Sequence, residues 1–261
     1  MPSPRFSPSP QTVNILGVNV SAVSLDEAVA RIGGFIAAKR RAYVCVRDAH
    51  GILRCRDDAV LADVHDRADL VTPDGMPLVW MCKWYGVKTV TRVYGPDLLL
   101  AVCGGLMARG VRHYFYGGAP GVGQRLADSL VGRFGGLPVA GVYCPPFRDL
   151  SDPELMDICA TINAAAPDIV WVGLSSPKQE YWMARARPHL DAAVLIGIGA
   201  AFDFHSGEKR QAPRWIQRSG FEWLFRAVTE PRRLGMRYLK TVPRFALLAA
   251  GQLLFGNRKP Q

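Results

Sequence analysis

The sequence predicts an α/β fold: a Rossmann-like, mostly parallel sheet with flanking helices, followed by a C-terminal helical appendage suited to associate with a membrane. Three observations predict it. From Ile15 to Gly199 short apolar runs rich in β-formers alternate with longer stretches of helical period, which is the grammar of a parallel sheet. Some strand-like runs lead through glycine-bearing turns into helix-like segments. After Gly207 that grammar stops, and helix follows helix with Pro213, Pro231 and Pro243 as punctuation.

In chain order, residues 1–12 form a Pro/Ser-rich leader expected to be disordered, with no apolar stretch of the kind that directs secretion. The Rossmann-like catalytic unit is expected over 13–207 and the appendage over 208–261. Ser24-Leu-Asp-Glu27 is a capping box, in which serine and glutamate satisfy each other's backbone amides, and it opens a helix running to about residue 40. Ser151-Asp-Pro-Glu154 opens another, to about residue 165. Strands are expected at 43–47, 70–72, 112–116, 138–142, 169–172 and 194–198, with further helices at 77–85, 96–109, 121–134 and 177–189.

Hydrophobic residues make up 49% and charged residues 21% of the chain, globular values for which disorder is not the default outside the leader. Cys45, Cys55, Cys82, Cys103, Cys144 and Cys159 are scattered without a CxxC pair and lie mostly in apolar stretches, which suits free thiols in a reducing compartment. The net charge of +10 is concentrated: from Glu208 onward there are 12 basic and 3 acidic residues, against 20 and 19 before it. By charge alone the tail suits nucleic acid, anionic lipid, phosphate or plain water. Its aromatic residues favour lipid, since Trp215, Phe221, Trp223, Phe225 and Tyr238 interleave with Arg214, Arg218, Arg226, Arg232, Arg233 and Arg237. The apolar run 245–255 is shorter than the about 20 residues a bilayer crossing needs and suits an interfacial helix. The expected partner is therefore an anionic membrane surface and not nucleic acid, and a homo-oligomer is left open.

Four segments carry candidate chemistry. Phe115-Tyr-Gly-Gly-Ala-Pro-Gly-Val-Gly123 follows a strand and opens a helix, where backbone amides can hold a phosphate; its glycines equally make a ligand-free turn. The spacing departs from the dinucleotide pattern G-x-G-x-x-G. Thr72-Pro-Asp-Gly75 ends an apolar strand; read alone it is first a turn sequence, and second a site for Asp74 as general base. Leu174-Ser-Ser-Pro-Lys-Gln-Glu180 places Lys178 and Gln179 near the same crevice, or is an ordinary helix start. Gly197-Ile-Gly-Ala-Ala-Phe-Asp203 again puts glycine at a strand end, with Asp203 either a site residue or a turn acid. No HxH, HxxxH or DxD spacing occurs, so neither a metal nor another cofactor is expected.

Together these segments resemble the WecG/TagA/CpsF family of glycosyltransferases. The matching stretches run in order from Ala68-Asp-Leu-Val-Thr-Pro-Asp-Gly75 and Arg92-Val-Tyr-Gly-Pro-Asp97 through Tyr116-Gly-Gly-Ala-Pro-Gly-Val122 to the last two segments just named. The tail adds Arg210-Gln-Ala-Pro-Arg-Trp215, Gly220-Phe-Glu-Trp223 and Glu230-Pro-Arg-Arg233, so the likeness spans about Val13 to Tyr238. Where many relatives carry Thr-x-Asn after the first strand, this chain has Val46-Arg47-Asp48. The resemblance implies an inverting, metal-independent transfer of a hexosyl group from a UDP-sugar donor to a polyprenyl-diphosphate-linked glycan acceptor. It places the enzyme peripherally on the cytoplasmic face of the bacterial inner membrane, in cell-surface or exopolysaccharide synthesis. Asp74 looks like the family's base. Arg92, Asp97, Lys178, Gln179 and Asp203 look like substrate-binding residues, and Gly117, Gly118, Pro120, Gly121 and Val122 like the nucleotide-binding turn. Arg92, Arg226 and Arg233 would neutralise the departing diphosphate. Two other readings share parts of this pattern: an NAD(P)-dependent oxidoreductase, which leaves the basic aromatic tail unexplained, and a non-catalytic nucleotide-binding membrane adaptor, which has no use for Asp74.

Overall fold

The computed structural model describes residues 9–255. Residues 1–8 of the expected leader, and residues 256–261 of the tail, lie outside the described part. Thr12, assigned to the leader, instead begins a hairpin of β1 (Thr12–Ile15) and β2 (Val18–Ser21). The hairpin turns on Leu16 and Gly17, both at positive φ, the two-residue geometry that matches strand twist.

The six expected strands all form. They are β3 (Ala42–Arg47), β4 (Leu70–Pro73), β5 (His113–Gly117), β6 (Val139–Tyr143), β7 (Ile169–Gly173) and β8 (Val194–Gly197). They build one parallel sheet in the order β4-β3-β8-β7-β5-β6. Alternate residues feed two cores, as a sheet covered on both faces requires. Val44, Phe115, Trp171 and Ile196 pack under α1 (Leu25–Ala37), α5 (Gly95–Gly105) and α6 (Val122–Phe134). Cys45, Tyr116, Val172 and Leu195 pack under α7 (Asp152–Ala164) and α8 (Lys178–Ala186). Both predicted capping serines cap their helices: Ser24 accepts the Glu27 amide, and Ser151 and Glu154 form the reciprocal box.

Two helices not marked in the sequence fill residues 49–66: α2 (Ala49–Asp57), capped by Asp48, and α3 (Ala59–Asp66), capped by Asp58. The helix expected at 77–85 forms as α4 (Met76–Trp84) and begins two residues after Asp74. After β8 the chain forms the short α9 (Ala201–His205), α10 (Arg214–Ser219), α11 (Glu222–Thr229), a π-helical turn (Pro231–Gly235) and α12 (Met236–Phe255).

The appendage folds back onto the α/β unit. Arg214 binds Asp97, Arg244 grips Asp57 at 2.5 and 2.6 Å, and Gln252 bonds the Leu16 amide and the Asn14 carbonyl in the hairpin. Pro243, read as punctuation, lies inside α12. Flanking contacts hold the helix through it, because Phe245 and Ala249 bury into the same core as α2 while Leu247, Leu254 and Phe255 stay exposed. Among the described residues no helix is long and apolar enough to cross a membrane. The six cysteines are free thiols, five buried and Cys144 exposed.

Candidate active site

Because β5 leads outward through α6 to β6 while β7 leads through α8 back to β8, the winding reverses between β5 and β7. In open parallel sheets ligands bind outside the strands' carboxyl ends at such a reversal. A cleft of about 670 Å³ lies there, lined from Arg47, Asp74, Gly173 and Gly197 at the strand ends and closed from above by Arg226, Arg233 and Arg237 of the appendage.

Glycines let the strand ends come together. Gly117 has φ +124°, and a Cβ there would sit 2.7 Å from the Gly173 carbonyl carbon. A Cβ on Gly197 would lie 2.9 Å from Nε2 of Gln179, so only glycine leaves room for that side chain to reach across β8. Gln179 is 4% exposed and its Oε1 is buried without a hydrogen-bond partner, an acceptor available to a ligand's N–H or O–H.

At the β4 end, Asp74 is held by its backbone, its amide donating to the Arg47 carbonyl at 2.7 Å. Arg92 Nε donates to the Asp74 carbonyl, and its Nη2 lies 3.3 Å from the Asp74 carboxylate and 2.7 Å from Glu222 at the start of α11. The guanidinium stacks 4.0 Å above the ring of Tyr94, whose hydroxyl donates to Glu222 at 2.9 Å. Burial raises the Asp74 carboxyl, Arg92 opposes the rise, and Glu222 and Asp48 add to it; the net result is a pKa of about 7. Asp48 goes the other way: burial raises it, but Arg237, 3.8 Å away, and the Gly51 amide outweigh burial and leave it below its ordinary value. The cleft thus holds a near-neutral carboxyl at Asp74, poised to take a proton, beside one that stays ionised.

Arg92, expected to bind substrate, is not among the residues that line the cleft, because its guanidinium is taken up by Asp74 and Glu222. The remaining predicted residues separate. Of the glycine turn, Gly118 lines the cleft together with Ala119, whereas Gly117, Pro120, Gly121 and Val122 shape the backbone behind it. Asp97 is outside the cleft, its carboxylate occupied by Arg214 at 2.7 and 2.8 Å. Asp203 lines the cleft but is paired with Lys209, which also holds Glu230. Lys178 stands at the mouth over the exposed ring of Phe147. Arg226 and Arg233 both line the cleft; Arg233 is tied to Glu230, while the buried Nε of Arg226 has no hydrogen-bond partner.

Other residues of the site were not singled out from sequence. Arg237 lines the cleft, its Nε also buried and unpartnered. Tyr116 and Trp182 stack at 4.0 Å to form an aromatic wall. Arg47, 1% exposed, forms a buried ion pair with Glu180 and donates to Ser176 at 2.8 Å, joining β3 to the start of α8. Glu222 had a signal, since it lies in the Gly220-Phe-Glu-Trp223 stretch, but its role depends on reaching Arg92 and Tyr94 across the fold.

Known proteins resemble this chain over most of its length. A Bacillus spizizenii protein named N-acetylglucosaminyldiphosphoundecaprenol N-acetyl-beta-D-mannosaminyltransferase is 30% identical over 190 residues, covering 73% of this chain and 70% of the relative. A Bacillus subtilis protein of the same name is 28% identical over 188 residues, covering 71% and 70%. The model of the glycosyl transferase WecG/TagA/CpsF family matches residues 13–259, nearly the whole chain, and the protein belongs to that family.

Proposed function

We propose that this chain is an inverting, metal-independent hexosyltransferase that carries a sugar from a UDP-sugar to a polyprenyl-diphosphate-linked acceptor at the cytoplasmic face of the inner membrane. The names of the two Bacillus relatives support N-acetylmannosamine as the sugar and N-acetylglucosaminyldiphosphoundecaprenol as the acceptor. Membership of a glycosyltransferase family leaves the oxidoreductase reading without support.

In the proposed step Asp74 removes the proton of an acceptor hydroxyl while that oxygen attacks the anomeric carbon of the donor. The bond from that carbon to the diphosphate oxygen breaks on the opposite face, and its electron pair leaves with uridine diphosphate. Arg226 and Arg237, each with an unpartnered buried Nε, and the more exposed Arg233 would stabilise that charge in place of a divalent ion. Holding donor and acceptor in line within one cleft supplies much of the rate. The observation that carries this reading is Asp74, near-neutral at a strand end in a cleft roofed by arginines.

The test is UDP release from a panel of UDP-sugars in the presence of a lipid-linked N-acetylglucosaminyl diphosphate. Release with an N-acetylhexosamine donor, retained in EDTA, is expected. Silence with every donor overturns the transfer, and loss in EDTA restored by Mg²⁺ overturns metal independence.

A further inference from the structure

We propose that α4 is a second membrane-contacting element, its tryptophan face joining the appendage at Gly220 and Phe221 to form one surface that lies in the headgroup region of an anionic bilayer. The proposal deepens the reading above and rests on its lipid-linked acceptor.

Trp80 and Trp84 stand four residues apart on α4, hence on one helix face, and are 51% and 55% exposed. The appendage meets this face directly. A Cβ on Gly220 would lie 2.7 Å from Cη2 of Trp80, so the backbone entering α11 packs on the indole edge. The next residue, Phe221, is 58% exposed, which carries the aromatic surface onto the appendage.

Charge selects the occupant. Between Gly75 and Pro96 the charged residues are Lys83, Lys88 and Arg92, with no acid. Arg92 is committed to Asp74 and Glu222, while Lys83, three residues from Trp80 on α4, and Lys88, four residues past the helix end, are exposed, and Arg218 is exposed two residues before Gly220. Indole rings that are apolar in body with one polar N–H prefer headgroup depth, and lysine and arginine around them attract anionic lipid phosphates. Trp80 lies only about 6 Å of helix rise beyond Met76, and Met76 is two residues from Asp74. A bilayer held by α4 on one side and α11 on the other would deliver a lipid diphosphate beside the base.

The test uses the full chain, its Trp80→Ala/Trp84→Ala variant and its Lys83→Glu/Lys88→Glu variant, the second changing surface charge without removing packing. Each is titrated with phosphatidylcholine vesicles with and without phosphatidylglycerol. UDP release is followed with a short-chain water-soluble acceptor and with the undecaprenyl-linked acceptor in vesicles. Both variants are expected to bind phosphatidylglycerol vesicles about tenfold more weakly, to slow on the vesicle acceptor, and to match the parent on the soluble one. Equal vesicle binding by all three overturns the proposal. Self-association of the parent that the tryptophan variant abolishes, without vesicle binding, also overturns it by assigning the face to a second copy. A parent chain silent with both acceptors overturns the transfer reading instead, while the vesicle titration still judges α4.

Discussion

Nη2 of Arg92 lies between two carboxylates, 3.3 Å from Asp74 and 2.7 Å from Glu222. One acid follows β4 and the other opens α11, so a single guanidinium fastens the candidate base to the appendage. The closer contact is with Glu222. Asp74 is thereby left partly uncompensated in a desolvated place, and its pKa settles at about 7.

This predicts the acidic limb of the pH–rate profile. With Asp74 as base, kcat/KM should fall as pH drops below about 7, because the carboxyl is then protonated. Glu222→Gln removes a neighbouring negative charge that raises Asp74 and leaves Arg92 to it alone, so the limb should move to lower pH. A profile flat through this region in the parent, or a limb that rises in the variant, would contradict the assignment.

The same shift has a stability consequence. The native Asp74 pKa lies above the ordinary value of 3.8, so between about pH 4 and 7 the folded chain binds the extra proton. The stabilisation this gives is complete below the unfolded value and is lost as pH rises through 7. Asp74→Asn cannot titrate. Its Tm relative to the parent should therefore climb as pH is raised from 4 to 8, and a difference independent of pH would exclude a raised native pKa.

Gly117 tests the geometry of the cleft floor. Gly117→Ala places a side chain at φ +124° and 2.7 Å from the Gly173 backbone, whereas Gly136→Ala, at φ +115°, meets nothing within 4 Å. Both pay backbone strain of about 1–3 kcal/mol, so denaturant unfolding should show Gly117→Ala as clearly the more destabilised. Equal losses would mean that β5 and β7 do not approach this closely.

Much of the fold was legible because a buried parallel strand is a short apolar run between turn signals. Each expected strand agrees with β3 to β8 within two residues. The hairpin was missed although Val13-Asn-Ile15 and Val18-Asn-Val20 alternate as a half-buried strand should. Helix α2 was hidden because its buried residues Gly51, Ile52, Leu53 and Cys55 do not follow a clean helical stripe, and Gly51 argues against helix. Strand-end position and resemblance point to Asp74 and Gln179, which line the cleft, and resemblance to Arg92, which braces Asp74 from outside the cleft lining. What sequence does not carry is pairing over distance. Tyr94 and Glu222, 128 residues apart, meet only after the appendage closes, and Asp97 is taken up by Arg214 rather than by the cleft.

The closed appendage also changes which tail variants are informative. Truncation after Gly207 would strip Phe245 and Ala249 from the core and mix unfolding with lost chemistry. Arg226→Ala and Arg237→Ala, by contrast, remove cleft-facing cations one at a time. Each should lower kcat on a water-soluble acceptor by about 10–100-fold, with Arg233→Ala, whose guanidinium is exposed and held by Glu230, costing less. Unchanged turnover in the first two would confine the appendage to anchoring.

Whether Asp74 deprotonates the acceptor is decided by single-turnover transfer with Asp74→Asn. Pre-bound UDP-N-acetylmannosamine would be mixed with a soluble N-acetylglucosaminyl diphosphate lipid analogue, with UDP affinity measured in parallel. Unchanged UDP affinity and a transfer step slower by about two to four orders of magnitude are expected. Transfer at the parent rate would remove Asp74 from the chemistry and favour a different base in the cleft.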